Sequence, residues 1–306
     1  MSVRQIWKTE SEERLDHIHL LAGERGILIS SGSKTMFLDE AGLKRWTVSL
    51  KGRVVGFGFS PHENTFLIAY KNGIRLVNRI GVTMKEVPLA SSPVDFAVSD
   101  IAAVLSEEEL LAFSREGREL WKTDSGGKHV TCFRGRVFVG GGKNLIALSK
   151  AGRLITEAEF PEAIVALASG KESLFVALPH RFLTVTEDCD VSSEKSLDDR
   201  VLDLSAGEYV AVLHPHKVVL YDESGEKRWL LRENASAVST GGRGVAIAAG
   251  NKLSYYEEVG EGDILYEIMC RGDSRCGTFV SSSYIRQCPK CKSTRITVRV
   301  IRRGID

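Results

Sequence analysis

The sequence predicts an all-β chain, a seven-bladed β-propeller followed by a small zinc-ribbon domain. Two observations predict the propeller. Short runs rich in Val, Ile, Leu and Phe, punctuated by Gly, Asn or Pro, fill most of the chain without a comparable amphipathic helix. A glycine-containing turn also recurs every 35–39 residues. A third observation predicts the second part: four of the six cysteines lie between Cys270 and Cys291. The expected division is therefore 1–262 for the propeller and 263–306 for the ribbon.

The first element is "VRQIWKTE" (3–10), which closely resembles "RELWKTD" (118–124). It reads as an outermost strand separated from its own blade. Pairing with the last blade, near 234–258, would close the ring and remove two exposed sheet edges. A second closure stays open at this point: "DILYEI" (263–268) closes the ring instead, which also admits eight blades.

The repeat follows. "FLDEAGLKRWT" (37–47), "AFSREGRELWK" (112–122), "VLYDESGEKRWL" (219–230) and the weaker "ALSKAGRLIT" (147–156) each join an apolar run to a polar turn with a Gly. Three of them place a Trp four positions after it: Trp46, Trp121 and Trp229. Gly supplies a positive φ at a hairpin turn, and the Trp is expected to cap the neighbouring unit. Degenerate copies put Gly81, Asp190 and Gly260 near the same turn position. Between the turns lie runs such as "TFLIAYK", "AAVLS", "SLFVAL" and "KVVLYD", about four strands per repeat of roughly 36 residues, the arithmetic of a propeller blade.

The pattern of apolar residue, Asp, two residues, Gly, three residues and Trp in "LDEAGLKRW" and "YDESGEKRW" resembles the repeat of PQQ-like β-propellers, relatives of the WD40 group. The resemblance covers about residues 1–260. It implies the fold alone, because that family includes both quinoprotein dehydrogenases and non-enzymatic assembly scaffolds. Its enzymes are exported and hold PQQ beside calcium through acidic and amide residues. The sequence offers no such cluster and no charged-then-apolar leader, so no PQQ is expected.

No other enzymatic motif stands out. The histidines (17, 19, 62, 129, 180, 214, 216) are scattered, and His214 with His216 reads as a polar turn rather than a metal pair. "GGGK" (140–143) lacks the spacing of a phosphate loop and reads as a hairpin turn. Cys132 and Cys189 read as packing residues. With no apolar run long enough to span a bilayer, the expectation is a cytoplasmic, non-enzymatic protein without a membrane partner.

The ribbon is the last element. Cys270-x5-Cys276-x11-Cys288-x2-Cys291 offers four thiolates, the donor set of one structural Zn²⁺. "CPKCK" (288–292) is a good knuckle; the longer first spacer makes Cys270 the weakest member of the set. Disulfides compete with metal, but are disfavoured in a cytoplasmic chain. "TRITVRVIRR" (294–303) alternates, placing Ile296, Val298 and Val300 on one strand face and Arg295, Thr297 and Arg299 on the other.

Charge divides the chain at the same place. Residues 270–306 carry nine Lys/Arg and two acids, a net +7, whereas the remaining residues carry a net −6. Lys290, Lys292, Arg295, Arg299, Arg302 and Arg303 are candidates for phosphate contact, with Phe279 and Tyr284 for base stacking. The expected function is an adaptor whose propeller docks on protein and whose ribbon binds RNA, DNA or a nucleoprotein such as a ribosome. Two other readings of the charge stay open: a ribbon docking on an acidic protein surface without nucleic acid, and charges that merely solvate a small domain.

Overall fold

The computed structural model describes residues 2–21, 26–60, 64–242, 244–259, 265–273, 276–281 and 285–301. Their strands form eight sheets, seven of them four-stranded and antiparallel. Blades 1 to 6 span 17–49, 54–88, 93–124, 129–159, 166–196 and 203–231, with the strands of each in chain order. Blade 7 is built from both ends of the propeller segment: its inner three strands span 237–259, and its outermost is Ser2–Glu10.

The first strands of the seven sheets stand beside one another in a closed circle, His17–Leu20 beside Val54–Ser60 and so round to Ala237–Gly241, which returns to His17–Leu20. The chain is thus a seven-bladed propeller. Its second and third strands explain the continuous apolar runs. Thr65–Tyr70, Ala102–Ser106, Leu174–Leu178 and Val210–His214 are buried at every position, because a blade interior is covered on both faces by its neighbours. Outer strands such as Lys44–Ser49 alternate instead. The core consequently lies between blades: Leu28, Trp46 and Val48 of blade 1 pack with Phe57, Phe66 and Tyr70 of blade 2.

In blades 1 to 4 the turn before the outer strand is latched to the previous blade. Gly81, at φ 87°, lies against the indole of Trp46, and a Cβ there would come within 2.7 Å of the Trp46 Cβ. Trp46 Nε1 donates to Arg79 O at 2.9 Å; Trp7 and Trp121 make the same bond, at 2.8 Å, to Glu40 O and Lys150 O. Where blade 2 lacks the Trp, Lys85 Nζ takes over and donates to Glu116 O and Gly117 O at 3.1 and 2.9 Å. In blade 5 the left-handed position falls one residue from the expected Asp190. It is Cys189, at φ 67°, whose amide donates to Thr186 O as that of Gly42 does to Asp39 O.

His214 is buried with Nδ1 3.0 Å from Arg200 O, and exposed His216 has Nδ1 3.2 Å from Asn234 Oδ1. Each ring has its own partner, and they do not converge on a metal. "GGGK" is the turn between Arg136–Gly141 and Asn144–Leu148, with Gly142 at φ 56°. The Gly260 turn and Asp263–Ile264 lie outside the described residues, but Leu265–Cys270 pairs with Thr278–Ser281 and Ile296–Ile301 in the eighth sheet rather than with a blade.

The inner strands also carry two carboxylates that no sequence motif marks. Asp95 accepts from its neighbour Phe96 N and, across to blade 4, from Val130 N, both at 2.8 Å. Asp203 accepts from Leu204 N at 2.8 Å. Each is only partly covered by area, yet protein atoms surround it closely enough that burial pushes Asp95 up to about 7 and Asp203 up to about 6. At these two sites the folded chain therefore holds protons that the unfolded chain releases near pH 4, and their contribution to stability falls as pH rises from about 4 to 7. Asp203→Asn can keep the bond from Leu204 N. It should flatten that fall and add about 1–3 kcal/mol at pH 8, read from urea midpoints across pH. Superimposable profiles for the two proteins would contradict this.

Candidate metal centre and basic surface

The eighth sheet sets the metal site. Leu265–Cys270 is its central strand, with Thr278–Ser281 on one side and Ile296–Ile301 on the other, both antiparallel. Ile268, opposite Val298, is fully buried, and Cys270 ends the strand opposite Ile296. Thr278–Ser281 lies beside Ser2–Glu10, so the small sheet sits against the strand that closes the ring.

Two turns carry the cysteines. In the first, Cys276 N donates to Asp273 O at 3.1 Å and Cys270 N to Gly277 O at 3.2 Å. In the second, Cys288 N donates to Ser293 O at 2.7 Å and Lys292 N to Cys288 O at 2.8 Å. The residue after the last cysteine of each turn is left-handed, Gly277 at φ 66° and Lys292 at φ 60°. The two turns thus end in the same left-handed step despite spacers of five and two residues.

Together they bring all four sulfurs within 4.8 Å of one another, with Cys270, Cys276 and Cys288 buried and Cys291 half-buried. Cys270 Sγ and Cys291 Sγ are 3.5 Å apart. A disulfide requires about 2.05 Å. Two corners of a tetrahedron around zinc at 2.3 Å are about 3.8 Å apart. The spacing therefore fits metal ligation.

The thiols of Cys270, Cys276 and Cys291 differ in how readily they ionise. Amides of Asp273 and Gly272 hold the Cys270 thiol down to about 7 against burial. Burial and the neighbouring sulfurs push Cys276 up to about 12. Cys291 is raised as well: the Ser293 amide pulls it down, but burial and the Cys270 and Cys288 sulfurs outweigh it. Four crowded thiols ionise together only with a cation among them, and a divalent metal supplies that charge.

The basic side chains surround this end. Lys292, Arg295 and Arg299 are exposed, as are Arg271 and Arg286, which the motif reading counted only as charge. Arg271 N donates to Arg295 O at 2.8 Å, joining two of them through the main chain. None of these five makes an ion pair with a described residue. Some propeller cations do, such as Arg115 with Asp100 at 2.8 Å, Arg134 with Glu172 at 3.0 Å and Lys122 with Glu109 at 2.6 Å, while exposed Lys8, Lys44 and Lys143 make no ion pair with a described residue. Lys290 differs from the other candidates, because its Nζ donates to Cys276 O at 3.0 Å. Phe279 stands in register with Ile268. Tyr284, Arg302 and Arg303 lie outside the described residues. Ile296 packs against the cysteines, and Val298 is half-buried, whereas Val300 is exposed on the same strand face.

Fold and site together define a seven-bladed propeller with a four-cysteine cluster near its C-terminus. The family model described as "Outer membrane protein assembly factor BamB" matches residues 106–265, just over half of the chain. The chain belongs to this family of PQQ-like propellers; the match ends before Cys270. No curated protein matches. Among solved structures, BamB from Moraxella catarrhalis is 11% identical with a TM-score of 0.63, covering 84% of this chain and 100% of that one. The Neurospora crassa Pan2 WD40 domain is 8% identical with a TM-score of 0.70, covering 84% and 96%. BBS1N, solved in complex with ARL6DN, is 14% identical with a TM-score of 0.67, covering 83% and 96%. At these identities the likeness is one of fold.

Proposed function

We propose that the chain is a non-enzymatic adaptor: the propeller docks on protein, and a C-terminal zinc ribbon binds nucleic acid or a nucleoprotein such as a ribosome. The carrying observation is the charge of this unit: residues 270–306 hold nine Lys/Arg against two acids, and Arg271, Arg286, Lys292, Arg295 and Arg299 are exposed around the cysteine cluster with no ion pair to a described residue. Unpaired exposed cations gathered on one small unit suit a polyanion, whose condensed counterions they release. Cys270, Cys276, Cys288 and Cys291 would hold one structural Zn²⁺, fixing the turns from which these cations project. The reading includes a cytoplasmic location, where thiols stay reduced for the metal.

Docking of the propeller on protein rests on its geometry, a rigid ring with loops on both faces. The neighbour solved as a complex, BBS1N with ARL6DN, is consistent with that use of the fold.

The test is a salt series with labelled RNA and DNA and the full-length chain. Five phosphate contacts on a single strand predict a log–log slope of about −3 to −4. A flat salt response, or a stoichiometric protein partner that survives nuclease treatment and competes for the ribbon, would replace nucleic acid with an acidic protein surface.

A further inference from the structure

We propose that Lys290, which sequence alone assigns to a phosphate, acts inward as a clamp that ties the two cysteine turns together across the metal centre. The inference rests on the metal reading above but not on nucleic-acid binding.

Each turn is closed by its own main-chain hydrogen bonds, Cys276 N to Asp273 O in one and Lys292 N to Cys288 O in the other. Among the described residues, no main-chain bond joins 285–293 to 270–277. The strands meet at the base of the site, through Arg271 N to Arg295 O, but the Cys288–Cys291 turn is left to be held from its side chains. Lys290 sits in the spacer of that turn and sends Nζ to the carbonyl of Cys276, 3.0 Å away. That carbonyl precedes Gly277, the left-handed residue completing the first turn. One side chain therefore links a residue between two ligands of one turn to a ligand residue of the other.

Charge favours the same arrangement. Four thiolates around a divalent ion keep two surplus negative charges, and an ammonium held between the turns offsets part of that surplus. A charged donor on a carbonyl also makes a stronger bond than a neutral one. The chemistry is that of a positioning residue: Lys290 binds neither metal nor phosphate but fixes the backbone that carries the sulfurs.

Cobalt(II) supplies the readout, because thiolate-to-cobalt absorption reports assembly of the site independently of any activity. Full-length wild type, Lys290→Met, Lys290→Arg and Arg295→Gln would be loaded with Co²⁺ and its release to EDTA followed. The expected result is release roughly tenfold faster from Lys290→Met, as for loss of other groups that support metal ligands. Lys290→Arg should restore slow release, and Arg295→Gln should match wild type. A thiolate–cobalt band at saturating Co²⁺ in Lys290→Met shows that its site still assembles. With that band present, a wild-type release rate overturns the clamp and leaves the metal centre standing. Absence of the band in wild type overturns the metal reading itself. If Lys290→Met releases Co²⁺ normally but its salt slope for RNA is shallower, Lys290 contacts phosphate and the inference fails.

Discussion

Replacing Cys288 with Ser should abolish metal binding and open residues 265–301 to trypsin at Arg286 and Lys290, while the propeller's main thermal transition moves by no more than about 2 °C. The reason is the shortage of other core. Among the described residues, and apart from the sulfurs, the small sheet buries Ile268 fully and Tyr266, Val280, Ile296 and Val298 only in part. A unit of this size stands well below the size at which apolar burial alone sustains a fold, so ligation supplies the folding free energy. The propeller's seven inter-blade cores share no residue with the cysteine cluster. Proteolysis and calorimetry on the variant check both halves. A joint collapse would show that the small sheet, where it lies beside Ser2–Glu10, is part of the propeller's cooperative unit.

The second large effect is expected at the closure of the ring. Trp7→Ala should destabilise the propeller by about 3–5 kcal/mol. For a domain of this size that lowers the melting temperature by roughly 10 °C. Trp7 is buried with Ile6 among Leu15, which precedes blade 1, Ile29 and Leu38 of blade 1 and Leu253 of blade 7, packs on Tyr255 at 5.5 Å between centroids, and donates to Glu40 O. Removing it cuts the one junction where the two ends of the propeller meet. Trp121→Ala deletes the same indole-to-carbonyl bond at a junction within continuous chain, where the indole is only half-buried. It should lower the melting temperature by less than half as much. Equal effects would mean that the closure carries no special weight.

The propeller was legible because its constraints are local and repeated. A positive φ selects Gly at 42, 81, 117, 152 and 225, and the Trp four residues later at 46 and 121 reaches back to the next blade's turn. Blade 5 shows where that logic stops. Cys189 adopts φ 67° without glycine's freedom, so composition misplaced the turn by one residue at Asp190. Closure was only half legible: the likeness of Trp7 to Trp121 pointed at an outer strand, but nothing local separated that strand from 263–268 as the closing segment. Long-range pairing of Ser2–Glu10 with Lys252–Val259 is a tertiary fact.

In the site, the four cysteines were legible from identity and spacing, whereas the left-handed step that ends both turns was not. It falls at Gly277 and Lys292, and a lysine carries no sequence signal for that conformation. The direction of a long side chain was equally hidden: Lys290 and Lys292 look alike in "CPKCK", yet only Lys290 reaches the carbonyl of Cys276. Asp95 and Asp203 left a faint trace, single acids inside "PVDFAV" and "VLDLSA", but their proximity across blades 3 and 6 needed the ring.

The most direct test compares nucleic-acid affinity of the full-length chain with that of a 1–262 truncation at low salt, using the same labelled RNA and DNA. The account predicts binding by the full chain and its loss in the truncation, whose propeller should still melt cooperatively. Equal affinity in both, or no binding by the full chain, would contradict it.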